Sequence, residues 1–365
     1  MSLKTGIVGL PNVGKSTLFN AITKQNILAA NYPFATIDPN VGIVTVPDKR
    51  IDVLNEMYHP ARLIPTSIEF TDIAGLVKGA SSGEGLGNKF LSHIREVDAI
   101  AHVVRCFDDN NIIHVEGKTD PIRDIEIINL ELSLADLEII NNRLDKIKKK
   151  AETTKDKDAL IEVEALEKAR NALEKNIPLR VIDFKEEELL IIKPFCFLTL
   201  KPVIYLANVS EDNYQEDNHY YNEVVEYAMK EGSKVVKICA KLESDLIDYT
   251  EEEKKEMLEM LNINQSGIDE LIQTTYDILG LRTFFTVGSD EVRAWTFKKG
   301  MHAPECAGII HSDFERGFIR AEVISYNDLI ECGSEIKVKE AGKFRLEGKD
   351  YVMQDGDICH FRFNV

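Results

Sequence analysis

Apolar residues recur along this chain in two periods. Short apolar runs at Thr5–Val8, Gly42–Val46, Ser67–Thr71, Ala99–Arg105, Pro202–Ala207 and Lys234–Ile238 have the length of buried strands. Between them lie stretches with apolar positions three and four apart, as at Leu18, Phe19 and Ile22. Strands alternating with helices predict a parallel sheet covered on both faces. From about Ile127 to Lys193 the period is helical throughout. Ile127, Leu130, Leu134, Leu137, Leu144 and Ile147 form one stripe; Leu160, Val163, Leu166, Leu173 and Ile177 form a second, closed by Pro178. Two amphipathic helices joined by the charged stretch Lys148–Asp158 predict an antiparallel hairpin inserted into the α/β domain. It reads equally as a solvated structural arm or as a lever that docks on a large partner.

The α/β pattern resumes after Pro202 and ends with a helix over Gly267–Leu279, stopped by Gly280. Beyond Leu281 short strands take over, at Phe284–Val287, Val292–Phe297, Phe318–Val323, Glu335–Val338, Tyr351–Met353 and Ile358–Phe363. The expected division is 1–128 with 195–280 as a nucleotide domain, 129–194 as the hairpin, and 281–365 as a small, mostly β domain. No fixed-period repeat or low-complexity tract interrupts this.

Composition changes the picture in three ways. A net charge of −18 argues against a broad basic surface for nucleic acid. Residues 282–365 carry 12 basic and 14 acidic side chains, a net of −2, so −16 lies upstream. The last domain therefore has the least acidity to overcome if it meets RNA. The six Cys show no C-x-x-C spacing and read as reduced thiols of a cytoplasmic protein. No apolar stretch has transmembrane length, and the first strand begins too early for a signal peptide. Neither a membrane nor a DNA partner is expected.

The chemistry starts at the first strand–helix junction. Gly9-Leu10-Pro11-Asn12-Val13-Gly14-Lys15-Ser16 fits the phosphate-binding loop G-x-x-x-x-G-K-S/T, and it sits between a strand and a helix as that motif requires. Backbone N–H groups at a helix N-terminus make an anion site. The cradle is expected from Asn12, Val13, Gly14, Lys15, Ser16 and Thr17. Lys15 would reach the β- and γ-phosphates and Ser16 would bind Mg²⁺.

Four further segments refine the nucleotide site. In Asn31–Thr36, Thr36 is the candidate hydroxyl for Mg²⁺ and the γ-phosphate. In Asp72-Ile73-Ala74-Gly75, Asp72 would support Mg²⁺ and the Gly75 N–H would meet the γ-phosphate. Leu76 stands where Ras-type enzymes carry a water-positioning Gln, and Leu cannot bind water. Hydrolysis is therefore slow or takes its water-positioning group from elsewhere. His114, in the loop Asp108–Pro121, is one candidate replacement, although an ordinary loop histidine is the favoured reading. His102, inside an apolar run, reads as a core residue. Asn208-Val209-Ser210-Glu211 stands where guanine-specific relatives carry N-K-x-D. Val209 replaces the Lys and Glu211 the Asp. An Asn208 amide can pair with adenine N6/N7, so guanine preference should be weak. Ala240 and Lys241, in Cys239-Ala240-Lys241, form the last candidate base-contacting loop.

The phosphate loop, the run Asp72–Ala80 leading into Gly83-Glu84-Gly85-Leu86-Gly87-Asn88, and Asn208–Glu211 resemble the YchF / Obg-like ATPase family, a branch of the Obg-related P-loop GTPases. The resemblance covers the whole chain, with no departure at the motif positions. It implies an α/β P-loop NTPase of the Ras-like G-domain type, with an inserted antiparallel coiled-coil hairpin and a C-terminal TGS domain. It implies ATP hydrolysis in preference to, or alongside, GTP. It implies association with ribosomes or ribosomal RNA through the TGS domain and the hairpin. It implies that Leu76 is normal for the group, and that Asn12 helps hold a K⁺ near the phosphates. An alternative reading is a GTP-hydrolysing ribosome-assembly factor. Another is a nucleotide-binding switch whose turnover is incidental.

Overall fold

The computed structural model describes residues 3–28, 40–74, 86–109, 112, 115, 117–154 and 156–364. The chain forms two compact units. The first comprises Met1–Val44 and Glu69–Leu271; the second comprises Thr45–Ile68 and Ile272–Val365.

The strands are β1 (Lys4–Val8), β2 (Val41–Thr45), β3 (Arg62–Ile64), β4 (Ser67–Asp72), β5 (Ala99–Arg105), β6 (Val203–Asn208), β7 (Lys234–Ile238), β8 (Leu281–Thr286), β9 (Glu291–Lys298), β10 (Phe318–Ser325), β11 (Arg345–Glu347) and β12 (Asp357–Phe363). Ten helices precede β8: α1 (Lys15–Leu28), α2 (Lys49–Tyr58), α3 (Leu86–Glu96), α4 (Pro121–Thr154), α5 (Lys157–Leu173), α6 (Glu186–Ile192), α7 (His219–Glu231), α8 (Ala240–Asp245), α9 (Glu251–Met260) and α10 (Gly267–Ile278). Four follow β9: α11 (Ala303–Ile310), α12 (Ser312–Arg316), α13 (Tyr326–Cys332) and α14 (Glu335–Glu340).

The first unit is built on a six-stranded sheet of order β2-β4-β1-β5-β6-β7. The pairs β1–β4, β1–β5, β5–β6 and β6–β7 are parallel. Every residue of β5 and β6 is buried, the expected state of central strands covered on both faces. Each of the six strands read from the sequence here lies within a residue or two of its observed span. Parallel strands place the loops that follow them at one edge of the sheet, where ligands bind in such folds.

The helical stretch forms α4 and α5, which share a core of Ile140, Leu144, Ile147 and Ala151 with Ala159, Leu166, Ala169 and Leu173. Arg143 pairs with Glu162 and Lys148 with Glu167 across them. Helix α4 starts at Pro121, before the boundary at 129, and is anchored by Asp136. That buried carboxylate accepts the Leu198 and Thr199 N–H groups (3.0 and 2.8 Å) and the Thr199 hydroxyl (2.7 Å).

The second unit holds a sheet of order β11-β10-β12-β8-β9-β3. One core gathers Phe284, Phe297, Cys306, Ala307, Phe318, Val323 and Phe361. The other gathers Ile51, Leu54, Phe285, Val292, Leu329, Val338 and Ile358. Residues 45–68, assigned from sequence to the nucleotide domain, lie here, because β3 pairs in parallel with β9 and α2 supplies Ile51 and Leu54. Glu335–Val338 is a helix rather than a strand. The Ser334 side chain caps it by accepting from the Lys337 N–H, and only Val338 is buried. Tyr351–Met353 contributes a single bridge, Val352 to His302.

Candidate functional site: the nucleotide pocket

The phosphate loop follows β1. Asn12 and Gly14 take left-handed backbone angles, φ 63° and 96°. At Gly14 a Cβ would collide with Asn208 Nδ2, so the loop's curvature and its contact with β6 both require glycine. The Val13 side chain is buried, whereas Asn12, Ser16 and Thr17 are exposed. Helix α1 starts at Lys15, and the Leu18 N–H donates to the Gly14 carbonyl (3.0 Å). The first-turn N–H groups preceding that bond are the ones free for an anion.

Strand β4 delivers Asp72 to this loop, where its carboxylate pairs with the Lys15 ammonium. A phosphate-binding cation and a carboxylate expected near Mg²⁺ thus meet at the sheet edge. The donors present fit Mg²⁺. Ser16 and Asp72 offer hard oxygens, and no group of three His, Cys, Asp or Glu suited to a metal occurs among the described residues. A small hard cation that completes its shell with phosphate oxygens and water needs no such cage. Thr36, Gly75, Leu76 and His114 lie outside the described residues.

Asn208 closes β6 and is buried. Its Nδ2 donates to the Val13 carbonyl (2.8 Å), and its Oδ1 accepts the Ala240 N–H (3.0 Å). The amide therefore ties the phosphate loop to the loop after β7; with both polar ends engaged and buried, it is a clamp and not the adenine partner expected from the sequence. Val209 is buried, and its N–H donates to the Ile238 carbonyl (2.8 Å). Glu211 Oε2 accepts from Lys241 Nζ (2.8 Å), joining the loops after β6 and β7 at their exposed rim. This hydrogen bond and the attraction to Glu211 raise the Lys241 pKa.

Three further residues support the site. Arg105, at the end of β5, is 2% exposed. Its guanidinium donates to the carbonyls of Phe107 (3.0 Å), Ile112 (3.0 Å) and Asp109 (3.2 Å), holding the loop that leads toward His114. Asn218 Nδ2 donates to the Cys106 carbonyl (2.7 Å), while the Cys106 N–H donates to the Asn208 carbonyl (2.8 Å). Glu243 on α8 is buried and accepts the Gly267 N–H at the start of α10 (2.6 Å). Its Oε2 is buried without a hydrogen-bond partner, and burial pushes the carboxyl up to about 7. An arginine inside an apolar run and a glutamate just after a base loop were the signals available in sequence. His102 is buried in β5 and held neutral, its pKa lowered to about 3 by burial and then by Arg180. That environment matches a core histidine.

Taken together, the sheet, the phosphate loop and the loops after β4, β6 and β7 define a P-loop nucleoside triphosphatase of the GTPase-like class. A family model described as a 50S ribosome-binding GTPase matches residues 4–142, and the model of the YchF GTPase C-terminal region, described as of unknown function, matches 281–364. The chain is 59% identical to a ribosome-binding ATPase YchF of Bacillus subtilis and 54% identical to one of Escherichia coli O157:H7, each over the whole of both chains. The solved structure of the Schizosaccharomyces pombe YchF GTPase superposes with a TM-score of 0.90 at 45% identity, covering 99% of this chain and 98% of that one. The chain belongs to the YchF family. No helix among the described residues is long and apolar enough to cross a membrane.

Proposed function

We propose that this chain is a Mg²⁺-dependent ATPase, with GTP the weaker substrate, whose nucleotide state controls its association with ribosomes. The reading is supported by the relatives named ribosome-binding ATPases. The observation that carries the base preference is the Glu211–Lys241 pair. Guanine recognition in this architecture needs a carboxylate to accept N1–H and the 2-amino group. Here that carboxylate is one methylene longer and already accepts from Lys241. Adenine presents no such donors, so binding ATP leaves the pair intact.

Ser16, Thr36 and Asp72 would hold Mg²⁺, which when bound would neutralise negative charge on the phosphates. Lys15 would exchange Asp72 for the phosphates, freeing that carboxylate for the cation's shell. Backbone N–H groups from Asn12 to Thr17 and of Gly75 would stabilise the remaining oxygens. Phosphoryl transfer relies on positioning and charge stabilisation, so these parts support a slow rate without a water-binding side chain at position 76. His114 is the proposed water-positioning group, and Asn12 the proposed neighbour of a K⁺. The inserted hairpin and the TGS-type domain are the proposed ribosome contacts, in a cytoplasmic protein.

The test is calorimetric titration of nucleotide-free protein with ATP and with GTP, both with Mg²⁺. ATP tighter by at least about tenfold, or 1.4 kcal/mol, is the expected result. Equal or tighter GTP binding would overturn the base assignment. It would favour the reading as a GTPase of ribosome assembly, which the match to a 50S ribosome-binding GTPase model supports.

A further inference from the structure

Helix α8 opens with Ala240 and Lys241, the candidate base contacts, yet it is only six residues long. A helix that short does not hold itself in water, so its position comes from what grips it. At its first turn the Ala240 N–H donates to Asn208 Oδ1. Leu242 and Leu246 pack with Tyr214, Met257 and Leu261 in a small core. The third grip is Glu243, whose Oε1 accepts the Gly267 N–H at the start of α10 (2.6 Å).

The α10 side of this junction has no slack. A Cβ on Gly267 would stand 2.8 Å from Ile238 Cγ1 and 3.2 Å from Glu243 Oε1, so α10 begins hard against the end of β7. Ser266 also caps α10, accepting the Asp269 N–H (3.1 Å). Helix α10 therefore keeps its seat without Glu243, and α8 is the element that depends on the contact.

Glu243 is 2% exposed, and its Oε2 has no hydrogen-bond partner. Neutral, the carboxyl leaves one polar atom unmet; ionised, it leaves buried charge unmet, which costs far more. Burial acts most strongly, against the charge, and Asp269 of α10 adds to it. The N–H groups of Gly267 and Ile268 and the Lys254 ammonium of α9 act the other way. Tyr214, after β6, and Cys239, before α8, face the same carboxyl, and burial raises both, so neither brings a countercharge at neutral pH. Glu270 of α10 acts on Tyr214 as well.

We infer that Glu243 is a positioning residue of the nucleotide site: its neutral carboxyl fastens α8 to the start of α10 and so holds Ala240 and Lys241 in place for the base, and loss of its proton releases them. Acid tightens the site and alkali loosens it, for adenine and guanine nucleotides alike. This rests on the base contacts proposed above and adds a proton to what controls them.

The experiment measures the Kd of the full chain for ATP and for GTP, with Mg²⁺ in excess, from pH 6 to 8.5. Circular dichroism at each pH reports the fold. Wild-type affinity should be level at the acid end and weaken above about pH 7, approaching about tenfold per pH unit, the limit for one coupled proton. Glu243→Gln keeps an acceptor for Gly267 and cannot ionise. It should match the wild type at pH 6 and stay level, which also controls for titration of the nucleotide itself. Asp269→Asn should move the wild-type break to lower pH and Lys254→Gln to higher pH, and these two carry the test if the Gln variant does not fold. Parallel profiles for wild type and Glu243→Gln overturn the inference, as does a break that ignores both neighbouring charges. A Gln variant that is weaker at every pH with the wild-type slope reduces Glu243 to a structural residue. A wild type that binds neither nucleotide at any pH removes the nucleotide reading itself.

Discussion

The side-chain amide of Asn208 donates to the Val13 carbonyl at 2.8 Å, so the end of β6 holds the crown of the phosphate loop from beneath. The same amide accepts the Ala240 N–H. One buried residue thus fixes the phosphate loop and the loop after β7 relative to each other.

Replacing Asn208 by Ala leaves the Val13 carbonyl and the Ala240 N–H without their partner. Each buried orphan costs about 1–3 kcal/mol. Thermal stability should fall, and ATP and GTP should both bind at least about tenfold more weakly. A changed ATP/GTP ratio with unchanged stability would make Asn208 a base reader instead of a clamp. Calorimetry and a melting curve on one preparation decide between them.

Gly14→Ala attacks the same junction from the other side. It places a Cβ against Asn208 Nδ2 at a φ of 96°. Strain at such a site costs about 1–3 kcal/mol. Nucleotide binding should be lost while the second unit's Trp295 fluorescence stays that of the folded protein.

Lys15→Ala removes the cation that meets Asp72 here and is proposed to meet the phosphates of a bound nucleotide. Hydrolysis should fall by about 100-fold or more, the scale for losing one charge-stabilising donor. A phosphate-release assay at saturating ATP gives the answer, and an unchanged rate would remove Lys15 from the mechanism.

Glu243 makes stability depend on pH. Its folded pKa of about 7 lies above the 4.5 of an ordinary glutamate, so the folded state holds the proton more tightly. Its contribution is full below about 4.5 and is lost as pH rises through about 7. Glu243→Gln cannot ionise. The wild type should lose about 1–3 kcal/mol relative to this variant between pH 5 and 8. Denaturant melts at several pH values check this, and parallel curves would show that Glu243 does not titrate there. Asp269 and Lys254 both act on this carboxyl, the first raising and the second lowering its pKa.

Arg105→Met keeps bulk in the β5 terminus but abandons the carbonyls of Phe107, Asp109 and Ile112. Amide exchange at residues 107–109 and 112 should accelerate, with a stability loss of about 2–4 kcal/mol. Protection equal to the wild type would show that the loop holds its shape unaided.

The first unit was legible because its strands are parallel and buried on both faces. Val203 to Ala207 in β6 is a continuous apolar run, and Ile100 to Val104 in β5 is broken only by the buried, neutral His102. The phosphate loop and Asp72 were legible because their chemistry is local to one junction each. In the second unit the signals were short. Glu335-Ile336-Lys337-Val338 alternates like a strand, yet Ser334 caps it as a helix. The pairing of Arg62–Ile64 with Glu291–Arg293 leaves no trace in either segment, because register between distant strands is set by tertiary packing. The roles of Asn208, Arg105 and Glu243 rest on contacts between residues far apart in sequence. Residue type alone could not supply them.

The placement of α2 and β3 in the second unit has a consequence for how the chain is made. Ile51 and Leu54 leave the ribosome well before Phe285, Val292 and Ile358, with which they share a core. A nascent chain folds from its N-terminal end, so this helix waits with its apolar face uncovered until those later strands have been made. The first unit's sheet must meanwhile close around the excursion between β2 and β4. A fragment cut at Leu281 would carry the C-terminal strands without the helix and edge strand that finish their core. Such a fragment is a poor stand-in for the second unit, whose early and late segments are bound to mature together.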